Sequence, residues 1–121
     1  MKICVLIDAW EPVWGGGQEH VWQLSKHLIE DYGYSIDIFT RRLKLENHQR
    51  SKNNCDFVNL RIYQIGPLTT FFNPFGRLIW VLGVIIAVIK EDKIRQYDLI
   101  HAHAYISAIP AKILSILLKV P

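Results

Sequence analysis

The chain has 121 residues, 50% of them apolar and 21% charged, with five histidines, two cysteines and a net charge of +3. That length allows one ordinary domain with a single core, and the composition excludes disordered and collagen-like classes. The sequence stops on Val120-Pro121 directly after an apolar run, which reads as an incomplete domain spanning residues 1–121.

Residues 2–8 (KICVLID) form a short, nearly continuous apolar run, the pattern of a strand covered on both faces. One lysine and five apolar residues before Asp8 are too little for a signal peptide, and no small-residue cleavage site follows, so a cytoplasmic location is expected. Cys4 reads as a small buried hydrophobe. Cys4 and Cys55 form no CxxC or metal-ligand pattern, which fits a reducing compartment.

A loop with Pro12 leads to Gly15-Gly16-Gly17. From Gln18, the residues Val21, Trp22, Leu24, Leu28 and Ile29 recur at helical spacing, and Gly33 supplies a stop. Residues 35–40 (SIDIFT) alternate as a second strand.

Residues 41–52 then hold five basic side chains (Arg41, Arg42, Lys44, Arg50, Lys52) against Glu46, so this window carries +4 and the rest of the chain −1. It reads as a solvated connection, or as a loop that meets phosphates or anionic lipid. Nucleic acid is not an expected partner, because no aromatic residue is interleaved with the charges. Residues 57–65 (FVNLRIYQI) form a third strand, ended by Gly66-Pro67.

Asn73-Pro74 caps and opens a helix that runs to about Arg95. Within it, residues 78–89 are twelve residues of apolar type, bracketed by Arg77 and Lys90; a bilayer span needs about 20. Three readings compete for this block: a core helix overlaid by neighbouring elements, a face for a missing domain or partner, and peripheral membrane docking together with Phe71, Phe72, Phe75 and Trp80. Residues 97–101 make a fourth strand, residues 106–119 a last helix, and Val120-Pro121 stand where another strand would begin.

The order β-α-β-β-α-β-α predicts a Rossmann-like α/β domain, a mostly parallel sheet with helices on both faces. In such sheets ligands bind beyond the carboxyl ends of the strands, at the switch point. With the usual order 3-2-1-4, the segments leaving the first and fourth strands are neighbours there. The glycine run and the His101/His103 pair are therefore expected to face one crevice.

Glycines opening a helix suit a phosphate or a close-packed sugar, because the free N–H groups have no Cβ in the way. A dinucleotide site fits poorly: His20 stands where G-x-G-x-x-G needs Gly or Ala, and Thr40-Arg41-Arg42 offers no acid to a ribose. His101 and His103 share a face, but no third ligand follows at metal spacing, and no metal is expected. His101 reads as a structural residue near a strand end. His103, one step into the loop, is placed to bond a sugar hydroxyl or phosphate, or to act as acid or base.

These residues are similar to a known pattern. Residues 1–40 and 97–121 resemble the N-terminal domain of glycosyltransferase family 4, retaining enzymes of the GT-B fold. The resemblance lies in Pro12, Gly16-Gly17-Gln18-Glu19, Leu24, Leu28, Gly33, Thr40 and Asp98-Leu99-Ile100-His101-Ala102-His103. His20 stands where a basic residue commonly follows the glutamate.

The resemblance implies a partial GT-B N-terminal domain, the acceptor-side half of a two-domain enzyme. Such an enzyme moves a sugar from a nucleotide-diphosphate donor to an acceptor, a glycan or a lipid-linked molecule, with retained configuration and no metal or other cofactor. It places Gly15, Gly16, Gly17 and Glu19 by the donor diphosphate, and His103 against the transferred sugar or acceptor, with His101 as the alternative. The nucleotide is held mainly by a C-terminal domain whose paired-glutamate motif is absent from these 121 residues; alone they are expected to be inactive. The other reading is a non-catalytic α/β binding or interaction module.

Overall fold

A computed structural model of the chain describes residues 1–44 and 57–121. The elements are β1 (Lys2–Ile7), α1 (Gly16–Tyr32), β2 (Ser35–Leu43), β3 (Leu60–Thr69), α2 (Pro74–Arg95), β4 (Leu99–His103) and α3 (Tyr105–Leu118). The strands form one parallel sheet in the order β3-β2-β1-β4. This is the expected Rossmann-like arrangement.

The continuous apolar run of β1 is explained by two cores. Ile3, Val5 and Ile7 point to one face and pack with Val21 of α1 and with Ile36, Ile38 and Trp10. Cys4 and Leu6 point to the other face, against Trp80, Val84 and Val88 of α2 and Leu114 of α3. Helix α1 thus covers one side of the sheet, and α2 with α3 the other. Gly33 ends α1 at φ +66, its N–H and that of Tyr34 returning to Ile29 and Leu28. Asn73 caps α2, its side chain accepting from Gly76 N at 3.0 Å.

The structure corrects the expected boundaries at three places. Strand β2 does not stop at Thr40 but runs on through Arg41 to Leu43, with Arg41 fully buried. The basic stretch is therefore not one solvated loop; its residues 45–52, like Cys55, lie outside the described residues. Strand β3 passes Gly66-Pro67 and ends at Thr69. Proline is tolerated because β3 is an edge strand, and Gly66 at φ +89 absorbs a register shift in which Arg41 pairs with Ile65 but Leu43 with Thr69. Strand β4 starts at Leu99 and reaches His103, so His103 ends the strand rather than entering the loop.

The apolar block is not buried all round. Gly76, Trp80, Val84 and Val88, one per turn, face the sheet. Phe75, Leu78, Ile79, Leu82 and Ile86 are 47–75% exposed. No helix among the described residues is long and apolar enough to cross a membrane. Val120 and Pro121 belong to no strand, although Ile100 N–H donates to the Pro121 carbonyl (2.8 Å).

Candidate functional site

A crevice of about 310 Å³ opens at the carboxyl ends of β1 and β4. Asp8 and Ala9 from the end of β1, Gly17 and Gln18 from the start of α1, and His103 from β4 line it, with Phe71 and Arg77 forming a further wall. The sequence placed the glycine run and the histidine pair at one crevice; the structure brings Gly17 and His103 there.

The three glycines are not equivalent. Gly15 precedes α1 in extended backbone that any residue adopts, and a side chain at Gly16 would meet nothing within 4 Å. A Cβ on Gly17 would lie 3.0 Å from His103 Nε2. Of the three, Gly17 is thus the position where an added Cβ would crowd a neighbour, the His103 ring.

Glu19 does not line the crevice. Its carboxylate accepts from Trp14 Nε1 (3.0 Å) and Gln23 Nε2 (2.7 Å), tying the loop to the first turn of α1, where an acid also suits the helix dipole. Gln18 makes the corresponding tie on the other side, donating from Nε2 to Ala9 O at 3.0 Å.

The histidines form a row. His20 stacks on His103 with ring centroids 5.7 Å apart, and His101 follows at 6.3 Å from His103. His101 does not reach the crevice. It lines a separate cavity of about 70 Å³ beneath α1, among Val5, Val21 and Leu24, and its Nε2 is buried without a hydrogen-bond partner. Burial, and then the neighbouring His103 and His20, hold the His101 imidazolium below its ordinary range. Burial and His20 push His103 the same way, so both rings are neutral at pH 7. Among the described residues no group of three His, Cys, Asp or Glu stands together as metal ligands.

Sequence reasoning missed the cations under the crevice. Arg77, in the first turn of α2, lies with Nε 3.4 Å from Asp8 Oδ2, an ion pair without hydrogen-bond geometry. Its guanidinium sits 5.4 Å from the centre of the Phe71 ring. Arg41 donates to main-chain carbonyls: Phe71 O at 2.7 Å, Thr70 O at 3.2 Å, Asp8 O at 3.4 Å and Asn73 O at 3.4 Å. It therefore fixes both the end of β1 and the turn that carries Phe71 and leads into α2. Burial lowers its pKa while the Asp8 carboxylate opposes that; the guanidinium stays charged. Among the described residues, two guanidinia against one carboxylate leave this floor at +1. The signal available in sequence was the Asn-Pro helix start, which sets Arg77 one turn beyond Asn73.

Two helix N-termini open toward the same space. Among the described residues, neither α1 nor α3 has a side-chain cap. Ala104, between β4 and α3, holds φ +70, a left-handed backbone unusual for alanine. The first N–H groups of both helices thus remain available.

A sequence model described as Glycosyltransferase Family 4 matches residues 14–121. No curated protein matches the sequence. Among solved structures, a sucrose-phosphate synthase from Thermosynechococcus elongatus superposes with a TM-score of 0.71 at 21% identity, covering 95% of this chain and 30% of that one. MurG from Acinetobacter baumannii superposes with a TM-score of 0.57 at 16% identity, over 100% of this chain and 32% of that one. The chain thus spans about a third of the length of each.

Proposed function

The chain belongs to glycosyltransferase family 4, and from that premise we propose that it is the acceptor-side part of a retaining transferase that uses a nucleotide-diphosphate sugar. The observation that carries this reading is the positive floor formed by Arg41 and Arg77 around Asp8, beneath two uncapped helix N-termini. Such a site favours a diphosphate and developing negative charge on a leaving group.

Each residue then has a part. The N–H groups of Gly16, Gly17 and Gln18 face the diphosphate, and Gly17 leaves room for the His103 ring. Arg77 offsets the phosphate charge. Neutral His103 exchanges a hydrogen bond with a hydroxyl of the transferred sugar or acceptor. Glu19 and Gln18 hold the loop in place. Because the chain spans about a third of each superposed structure, a second domain is proposed to hold the nucleotide and complete the site, with no metal required.

The test is an NMR titration of the 121-residue chain with a nucleotide-diphosphate sugar. Amide shifts are expected at Gly16, Gly17 and Gln18 and at the start of α3, without turnover. Shifts elsewhere only would overturn the site, and turnover by this chain alone would overturn the two-domain reading. In a complete transferase containing this chain, His103→Ala is expected to lower kcat by about a hundredfold. Product stereochemistry by NMR checks retention.

A further inference from the structure

The rings of His20, His103 and His101 follow one another as a stack, tilted by 27° and 28° from ring to ring. His103 and His101 share a face of β4, whereas His20 comes from α1. Gly17 and His20 lie three residues apart, and so on one side of that helix. The His103 ring rests against both. Its Nε2 edge lies beside Gly17, where an added Cβ would be 3.0 Å away, and the His20 ring stacks on it at 5.7 Å.

A histidine in a reactive crevice is commonly oriented by a carboxylate. Here the neighbouring carboxylates are engaged elsewhere. Asp8 faces Arg77 at 3.4 Å, and Glu19, beside His20, accepts from Trp14 (3.0 Å) and Gln23 (2.7 Å). The start of α1 therefore does for His103 what an acid does for other histidines.

The charges around His103 act mainly in one direction. Arg77 lines the crevice from α2, and α1 and α3 both begin there, α3 with Tyr105. A helix start carries partial positive charge and disfavours a cation beside it. His20 adds to this, and burial with His20 holds the His103 imidazolium below its ordinary range.

A bound diphosphate works the other way. Its negative charge favours imidazolium, which donates from both nitrogens and has no lone pair for a hydroxyl proton. A ring that must accept from a hydroxyl next to a diphosphate needs a counterweight. A second imidazole stacked on it supplies one, because the two rings titrate as a pair and charge on one opposes charge on the other.

We infer that His20 is a positioning residue for His103: its ring fixes the plane of the His103 ring against Gly17 and excludes positive charge from it, so that His103 meets a substrate hydroxyl as an acceptor. The stack and the exclusion stand on the geometry; the hydroxyl rests on the transferase reading above.

The ring C–H signals of the 121-residue chain, followed by NMR between about pH 5 and 8, test it. His20→Phe keeps a ring in the stack and removes its charge, and His20→Ala removes both. In both variants, with wild-type circular dichroism, His103 should take up its proton at higher pH than in the wild type. Only His20→Ala should also move the His103 ring signals at the alkaline end. His27→Ala, about two turns further along α1, should do neither. In a complete transferase, His20→Phe should keep wild-type kcat at about pH 8 and fall to about a third of it at about pH 6. His20→Ala should already lose about fivefold in kcat at about pH 8, with KM for the nucleotide sugar unchanged. The inference is overturned if His103 titrates in both variants as in the wild type, or if His20→Ala leaves its ring signals in place. A titration that follows His20 in a transferase whose activity survives His103→Ala would keep the stack and remove the role given to His103 in transfer.

Discussion

At the amino ends of the strands, Asp37 is fully buried yet accepts from Tyr97 OH (2.7 Å) and from Arg95 Nε and Nη2 (3.0 and 3.2 Å). Lys2 adds two ties there, its N–H to Asp98 and its ammonium to Arg95 O, both at 2.7 Å. The carboxyl ends are built differently. Thr40 Oγ1, Thr69 Oγ1, Arg77 Nε, Trp80 Nε1, His101 Nε2 and Ser107 Oγ are buried without a hydrogen-bond partner among the described residues. All six lie at or past the midpoint of a strand, or in the first two turns of the helix that follows. Buried polar groups left unpaired cost stability, and they gather toward the end of the sheet where the crevice opens.

The sharpest way to break this contrast is to damage the amino end. Asp37→Ala leaves Arg95 and Tyr97 facing an empty acceptor in the interior, and breaking a buried ion pair from one side costs about 3–5 kcal/mol. That is a large share of a typical domain's stability, so urea unfolding should show a collapsed midpoint. A loss under about 1 kcal/mol would show that the amino end is not the stabilising one. Arg41→Met at the carboxyl end is the counterpart. It strands four carbonyl oxygens but also removes a buried cation that has no hydrogen-bonded carboxylate among the described residues. The expected loss is smaller, about 1–3 kcal/mol, accompanied by loosening of the Phe71 turn in NMR spectra.

The sequence carried the two ends unequally. Strand order and the crevice's position were legible, because the β1 run, the helical spacing of α1 and the crossover topology depend on apolar pattern. Arg41 was not, since a charged residue after a strand reads as solvent-facing, and its partners come from a turn about 30 residues away. Gly66-Pro67 read as a stop because proline lacks an N–H, but an edge strand does not need that donor on its open side. The block at residues 78–89 could not show which of its faces was covered, because twelve apolar side chains carry no periodicity. The separation of His101 from His103 likewise depended on where β4 began.

Gly17 sharpens the contrast at the carboxyl end. Gly17→Ala should change stability by no more than about 1 kcal/mol, since alanine favours a helix by about that much while the new Cβ crowds His103 Nε2. The His103 ring must shift, so its NMR signals should move, and activity in a complete transferase should fall at least about tenfold. Gly16→Ala, with open space at the Cβ, should do neither. Equal effects at both positions would remove the special status of Gly17.

The smallest expected effect is on acid stability, and it separates a strained core from a site awaiting an anion. The folded chain holds both below their ordinary range, His101 through burial and then His103 and His20, His103 through burial and then His20. Between the folded values and about 6.5, the unfolded chain binds more protons, so stability rises with pH in that window. It is complete above about pH 6.5 and declines as pH falls through the window, by a few degrees in Tm. His101→Leu should flatten part of this slope, since the ring lies among apolar side chains. Inorganic pyrophosphate should flatten the part due to His103, because a bound dianion favours imidazolium and stabilises only the folded chain. A slope that His101→Leu abolishes and pyrophosphate leaves unchanged would mean that the unpaired groups at the carboxyl ends are a cost of packing alone.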